Sequence, residues 1–175
     1  MRLFIAIRAP QEIHAQIAQA ASHLHERMGV RQISPGNWHL TLRFIGDVDE
    51  SSAKKIGDAL SAIKFSPFSV HLFGAGAYPD THFPRAIYIG GESQGAVALA
   101  AKVEEALAPF NLQKEKFSVH LTVARSKGAG DIDDFLKNAG EVGQFDARSF
   151  VLMKSTLMAH EAGYEVLKEY LAHES

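Results

Sequence analysis

Two stretches of this chain follow one course, strand then helix then strand, and each closes on the same triplet: His39-Leu40-Thr41 and His120-Leu121-Thr122. The offset from Arg2 to His39 and that from Arg85 to His120 differ by only two residues. A repeat kept in order rather than in identity predicts two similar units that bury their apolar faces together. The chain has four threonines, and two of them, Thr41 and Thr122, stand two places after a histidine. Copies that agree at polar positions and diverge elsewhere point to a site they share.

The periodicities fill in the units. Leu3, Ile5 and Ile7 alternate with Arg2, Phe4, Ala6 and Arg8, which predicts a strand. Pro10 suits the first turn of a helix; Ile13, Ile17, Ala20, Leu24 and Met28 recur at helical spacing, and Gly29 is placed to stop it. A strand over 37–45 carries the first triplet and is expected to break at Gly46-Asp47. Asp49 caps a helix that turns Ile56, Leu60 and Ile63 inward. A strand over 68–73 precedes a Gly- and Pro-rich loop over 74–84. The second unit opens with a strand over 85–89. Val97, Ala100, Val103 and Leu107 mark a helix that ends near Pro109, and 117–124 is the strand with the second triplet. A short helix over 131–139 and two closing strands, 145–157 and 164–171, complete the chain. With no linker between the units, residues 1–175 read as a single bilobal α+β domain with internal duplication. Each lobe has an antiparallel sheet with helices packed outside, and a cleft lies between the lobes.

Side chains alternate across a strand, so His39 and Thr41 share one face while Leu40 and Leu42 face the core; His120 and Thr122 repeat the arrangement. Two imidazoles suit acid–base chemistry near neutral pH, one taking a proton while the other gives one. The threonine hydroxyls suit hydrogen bonding to the oxygens of a phosphate. Arg43 continues the His39–Thr41 face by parity. Arg125 has the wrong parity relative to His120 and reaches the site only if the strand bulges or ends by Ala124. Arginine is favoured for paired contacts with phosphate oxygens, and Lys127 adds charge nearby.

Several classes fall away. The chain has no cysteine, so thiolate metal sites and cysteine nucleophiles are excluded. A formal net charge of −2 argues against a polybasic nucleic-acid coat. No apolar run reaches the length of a membrane span, and a soluble cytoplasmic protein is expected. His23-Leu24-His25-Glu26 reads as a solvated helix face, and His160-Glu161 lacks the second histidine of a zincin motif. Trp38 and Phe44 have core parity. Tyr78 and Phe83 can offer a stacking surface for a base.

The stretches 37–46, Asn-Trp-His-Leu-Thr-Leu-Arg-Phe-Ile-Gly, and 120–127, His-Leu-Thr-Val-Ala-Arg-Ser-Lys, resemble the two motifs of the 2H phosphoesterases. Within that superfamily the chain is similar to the RNA 2′,3′-cyclic phosphodiesterases, also called 2′-5′ RNA ligases. The opening strand, Ser155-Thr156-Leu157, Gly163-Tyr164 and Leu167 fit as well, so the resemblance spans nearly the whole chain. Val119 departs from it, standing where many members have proline. The resemblance implies His39 as proton donor to the leaving 3′ oxygen and His120 as the base that activates water. Thr41 and Thr122 would hold the phosphate with Arg125 as helper, and strand parity adds Arg43 to the substrate-binding residues. The implied partners are RNA ends or nucleotides bearing a 2′,3′-cyclic phosphate, opened to a 2′-phosphomonoester without metal or other cofactor. Ligation would be the same chemistry run with a 5′-hydroxyl in place of water. The symmetry of the motifs alone does not say which histidine is acid and which is base. The chain is expected to act as a monomer. The alternatives are a 2H esterase for another phosphodiester and a non-catalytic module that binds RNA ends.

Overall fold

A computed structural model describes residues 1–26, 29–128 and 130–174. In chain order its elements are β1 (Arg2–Arg8), α1 (His14–Ala21), β2 (Arg31–Gln32), β3 (His39–Asp47), α2 (Glu50–Leu60), β4 (Phe68–Tyr78), β5 (Ala86–Glu92), α3 (Gln94–Leu107), β6 (His120–Arg125), α4 (Asp133–Asn138), β7 (Glu141–Ala147), β8 (Ser149–Thr156) and β9 (Gly163–Leu171). Among the described residues, eight strands run in the order β7-β4-β5-β6-β3-β1-β8-β9, every neighbour antiparallel, and β2 pairs with β6 beside β3.

The two expected sheets are therefore one. Its midline is the seam between β3 and β6, the two strands that carry the triplets, paired there at Leu40 and Leu121. The halves mirror each other outward from the seam: β3 is followed by β1, β8 and β9, and β6 by β5, β4 and β7. In flat projection β7 and β8 lie six strand spacings apart, about 29 Å. Yet only Arg148 separates Ala147 from Ser149, a reach of about 7 Å. The sheet must curl until its halves meet at that end. Accordingly Phe145 of β7 and Phe150 of β8 belong to one apolar cluster, together with Ile17 of α1, Ile56 of α2, Val103 of α3 and Phe135 of α4.

Among the described residues, no helix contributes to the cluster on the other face of the sheet. That small cluster is Phe4, Ala6, Val151 and Met153, with Tyr164 packed against them. Asp49 caps α2 as expected, its carboxylate accepting from Ser52 N at 2.7 Å. Trp38 lies in the main core. Among the described residues no helix is long and apolar enough to cross a membrane.

Several boundaries differ from the sequence reading. α1 ends at Ala21, ahead of Leu24, and Met28 lies outside the described residues. β3 runs on through Gly46, whose φ of +89° sits at a register shift against β1. β4 continues through 74–78, paired with β7 over its first half and with β5 from His71 to Tyr78. In α3 the inward residues are Ala96, Leu99, Ala100, Val103 and Leu107, while Val97 is exposed. The stretch 145–157 is split at Arg148 between β7 and β8.

Candidate active site

The pairing of Leu40 with Leu121 sets the site. Both leucines are buried in the core. One step along each antiparallel strand places His39 opposite Thr122 and Thr41 opposite His120, all four on the face away from the helices. Residues directly opposite have Cβ atoms about 4.5–5.5 Å apart, and diagonal neighbours about 7–8 Å. The four side chains thus form a square with an imidazole at each of two diagonal corners and a hydroxyl at each of the others. All four are half-buried.

The rings are oriented alike. His39 Nδ1 lies 2.7 Å from the carbonyl of Asn37, and His120 Nδ1 lies 3.1 Å from the carbonyl of Ser118, in each case two residues upstream. A carbonyl only accepts, so Nδ1 carries the proton and donates it, which leaves Nε2 of each ring without that proton. Aromatic rings wall both histidines. Phe4 and Tyr164 stand 5.0 and 5.4 Å from His39, and Tyr78 and Tyr88 stand 5.3 and 5.4 Å from His120. Tyr88 lies over Gly76 in the next strand. A β-carbon built there would come within 2.5 Å of its hydroxyl, so the position requires glycine.

Burial pushes the pKa of His39 below its ordinary value; the Asn37 carbonyl opposes the shift, and the nearby charges of Arg125 and His120 reinforce it. Burial also lowers the pKa of His120, against the pull of the Ser118 carbonyl. His39 thus feels the charge of Arg125 and that of the second imidazole.

Beyond the threonine both strands bulge at the same place. In β3 the register against β1 slips between Arg43 and Thr41, and in β6 the register against β5 slips between Ala124 and Thr122. The extra residues are Leu42 and Val123, each three places after its histidine. The bulge reverses parity. The fourth residue after each histidine, Arg43 or Ala124, turns into the core, and the fifth, Phe44 or Arg125, turns out. Arg125 thereby reaches the histidine face by the bulge that its parity required.

For Arg43 the bulge corrects the sequence reading. It is 3% exposed and points away from His39. Its guanidinium donates to the carbonyls of Phe44 and Gln113 and pairs with Glu104 and Glu115. It fastens the segment that leads into His120 to β3 and α3. Phe44, expected in the core, is instead 52% exposed, with its ring 6.2 Å from Phe4. Aligning the two motifs held a signal for this, since the counterpart of Arg43 is an alanine.

Other members of the site were not visible in sequence. Arg31 of β2 stands opposite Arg125 and donates from Nη1 to the His160 carbonyl at 2.9 Å. Glu161, from the loop between β8 and β9, accepts from Ser34 N, Ser34 Oγ and Asn37 Nδ2 at 2.8–3.0 Å. It fixes the turn whose Asn37 carbonyl orients His39, yet lies 124 residues away in the chain. His23 and His25 sit in a turn beside Asp134, at 3.8 and 3.3 Å, apart from the motifs.

A square of two histidines and two threonines on a bulged antiparallel seam defines a phosphoesterase scaffold, and comparison with known proteins agrees. The model of the LigT-like phosphoesterases matches residues 7–88. An RNA 2′,3′-cyclic phosphodiesterase of Archaeoglobus fulgidus is 31% identical over 175 residues, covering 97% of this chain and 99% of that protein. One of Methanocaldococcus jannaschii is 32% identical over 176 residues, covering 97% and 100%. The chain belongs to the LigT-like phosphoesterase family. The crystal structure of E. coli LigT complexed with 3′-AMP is similar throughout, with a TM-score of 0.81 at 25% identity over 99% of this chain and 98% of that one.

Proposed function

We propose that this chain hydrolyses the 2′,3′-cyclic phosphate at RNA ends to a 2′-phosphomonoester, using His39 as acid and His120 as base. The observation that carries this reading is the diagonal pair of imidazoles, each with Nδ1 tied to a backbone carbonyl and Nε2 left for chemistry. Diagonal placement suits in-line displacement, because the attacking and leaving oxygens lie on opposite sides of phosphorus. Water loses a proton to His120 Nε2 as its oxygen bonds to phosphorus. The bond from phosphorus to the 3′ oxygen breaks, and protonated His39 gives that oxygen its proton. Thr41 and Thr122 donate to the non-bridging oxygens, and Arg125 balances their charge. Which ring is acid and which is base follows the family resemblance, since burial lowers the pKa of both. A 5′-hydroxyl in place of water would give 2′-5′ ligation by the same path.

RNA as substrate is supported by the names of the relatives and by the 3′-AMP bound to the similar E. coli protein. Phe44 offers an exposed ring beside the square on which a base can stack. Every group in the scheme comes from one chain, which supports a monomer as the working unit. The test is to treat an oligonucleotide ending in a 2′,3′-cyclic phosphate with the protein in EDTA and follow the product by ³¹P NMR. A 2′-phosphomonoester is expected; a 3′-phosphomonoester, or no turnover, overturns the scheme.

A further inference from the structure

Arg125 and Arg31 face each other across β6 and β2, and the square accounts for only one of them. The next residue of β2, Gln32, reaches the helix side, donating from Nε2 to the carbonyls of Ala21 and Leu24. By alternation Arg31 lies on the histidine side, with Arg125. It is exposed. Among the described residues no carboxylate lies within ion-pair distance of either arginine. The nearby Glu161 is occupied by Ser34 and Asn37. Two unpaired guanidiniums side by side repel, so an anion there is stabilised.

The two arginines address different places. Arg125 is close enough to His39 to weaken its hold on a proton, whereas Arg31 does not contribute to that effect. Arg31 is drawn outward by its bond to the His160 carbonyl, which uses one of its five N–H donors and leaves four. Resting on the reading of the square as the seat of the cyclic phosphate, the geometry points to Arg31 as the subsite for a second phosphate, one nucleotide away. At an RNA end closed by a 2′,3′-cyclic phosphate, the remaining neighbouring phosphate is the one on the 5′ oxygen of the terminal nucleoside. Arg31 therefore selects terminal nucleotides that carry a 5′-phosphoryl group, which internal linkage in RNA supplies and a free nucleoside cyclic phosphate lacks.

The test uses unreactive ligands and turnover together. Adenosine 2′-monophosphate and adenosine 2′,5′-bisphosphate are titrated into the unaltered protein and into Arg31→Met by calorimetry. The bisphosphate should bind more tightly to the unaltered protein. Arg31→Met should weaken it by about tenfold, as for loss of a charge-assisted hydrogen bond at an open site, and leave the monophosphate affinity in place. Arg31→Lys should recover part of the preference, because Lys keeps the charge and loses the fork. With a cyclic-phosphate-ended dinucleotide, Arg31→Met should raise KM and spare kcat. For a longer single strand it should reduce the salt slope of binding by about 0.7. Equal weakening of both ligands, or of neither, overturns the subsite. Absence of turnover by the unaltered protein would instead overturn the hydrolytic reading, and the two titrations would still decide the subsite.

Discussion

The two halves of the sheet share one geometry around the histidines and part company in what they present past the bulge. In both, the imidazole is pinned to the carbonyl two residues upstream, walled by two aromatic rings and followed by a threonine. In both, the third residue after the histidine is extra in the ladder and the fifth faces out. The half of β3 there presents Phe44, an apolar ring, and the half of β6 presents Arg125, a fixed cation. One frame has been kept twice for chemistry and given two different ends for recognition. The fastenings differ as well. Glu161 holds the approach to His39 through Ser34 and Asn37, while Arg43 holds the approach to His120 through Gln113 and Glu115.

The sharpest way to break the likeness is at the histidines. His39→Ala and His120→Ala should each lower kcat/KM by on the order of 10³-fold, within the range for a lost acid or base. The double variant should be little worse than either. A substrate with a better leaving group should restore activity in His39→Ala alone; restoration in His120→Ala would exchange the roles. Both pKa values are lowered, so both rings are neutral at neutral pH in the free protein. The working state needs one proton and is most populated between the two lowered values. The bell in kcat/KM should therefore peak on the acid side of 6.5, the ordinary histidine value. A bound phosphate anion favours the protonated ring, so the kcat profile should lie further toward alkaline pH. A kcat/KM peak above 7 would contradict the burial of the pair.

Thr41→Val and Thr122→Val should follow, each lowering turnover by about 10²-fold with the fold intact by circular dichroism. Similar losses would show that the hydroxyls act alike, and a large difference would mark one oxygen of the phosphate as the more charged. Smaller still is the contrast between two arginines. Arg125→Met should reduce kcat/KM by some tens of fold at unchanged melting temperature. Arg43→Met should cost about 2 kcal/mol of stability, a fall of several degrees in Tm, with a smaller loss of activity. The reverse pattern would return Arg43 to the substrate. Smallest is Phe44→Ala, expected to raise KM for RNA ends by about tenfold at constant kcat, the low end of base stacking on an aromatic ring.

Elements with a clean period were legible in the sequence: β1, α2 with its Asp49 cap, and the strands of the two triplets. So was the sharing of one face by each His and Thr. Features that arise from pairing were not. Leu42 and Val123 are ordinary strand residues, and nothing local in either marks a bulge; the slip exists only against β1 and β5. Parity counting therefore put Arg43 and Phe44 on each other's faces. The glycines at 74 and 76 read as a loop, yet pairing with β5 outweighs their weak preference and β4 runs through. Arg148 turns the chain without Gly or Pro, so one apolar pattern covers two strands. Arg31 and Glu161 gave no signal because their partners lie far along the chain.

Among the described residues β3 and β6 pair directly at one position, Leu40 with Leu121. Such a joint behaves as the spine of a book. Each cover carries one imidazole and one hydroxyl, and each is stiffened internally by long ladders. A small change in the angle between the covers widens or narrows the gap across which the proton donor and acceptor must cooperate, while disturbing neither cover. The working distance of the chemistry is thus set at this joint, where the two leucine side chains act as a shim, with β2 and the Arg43 contacts bracing the angle.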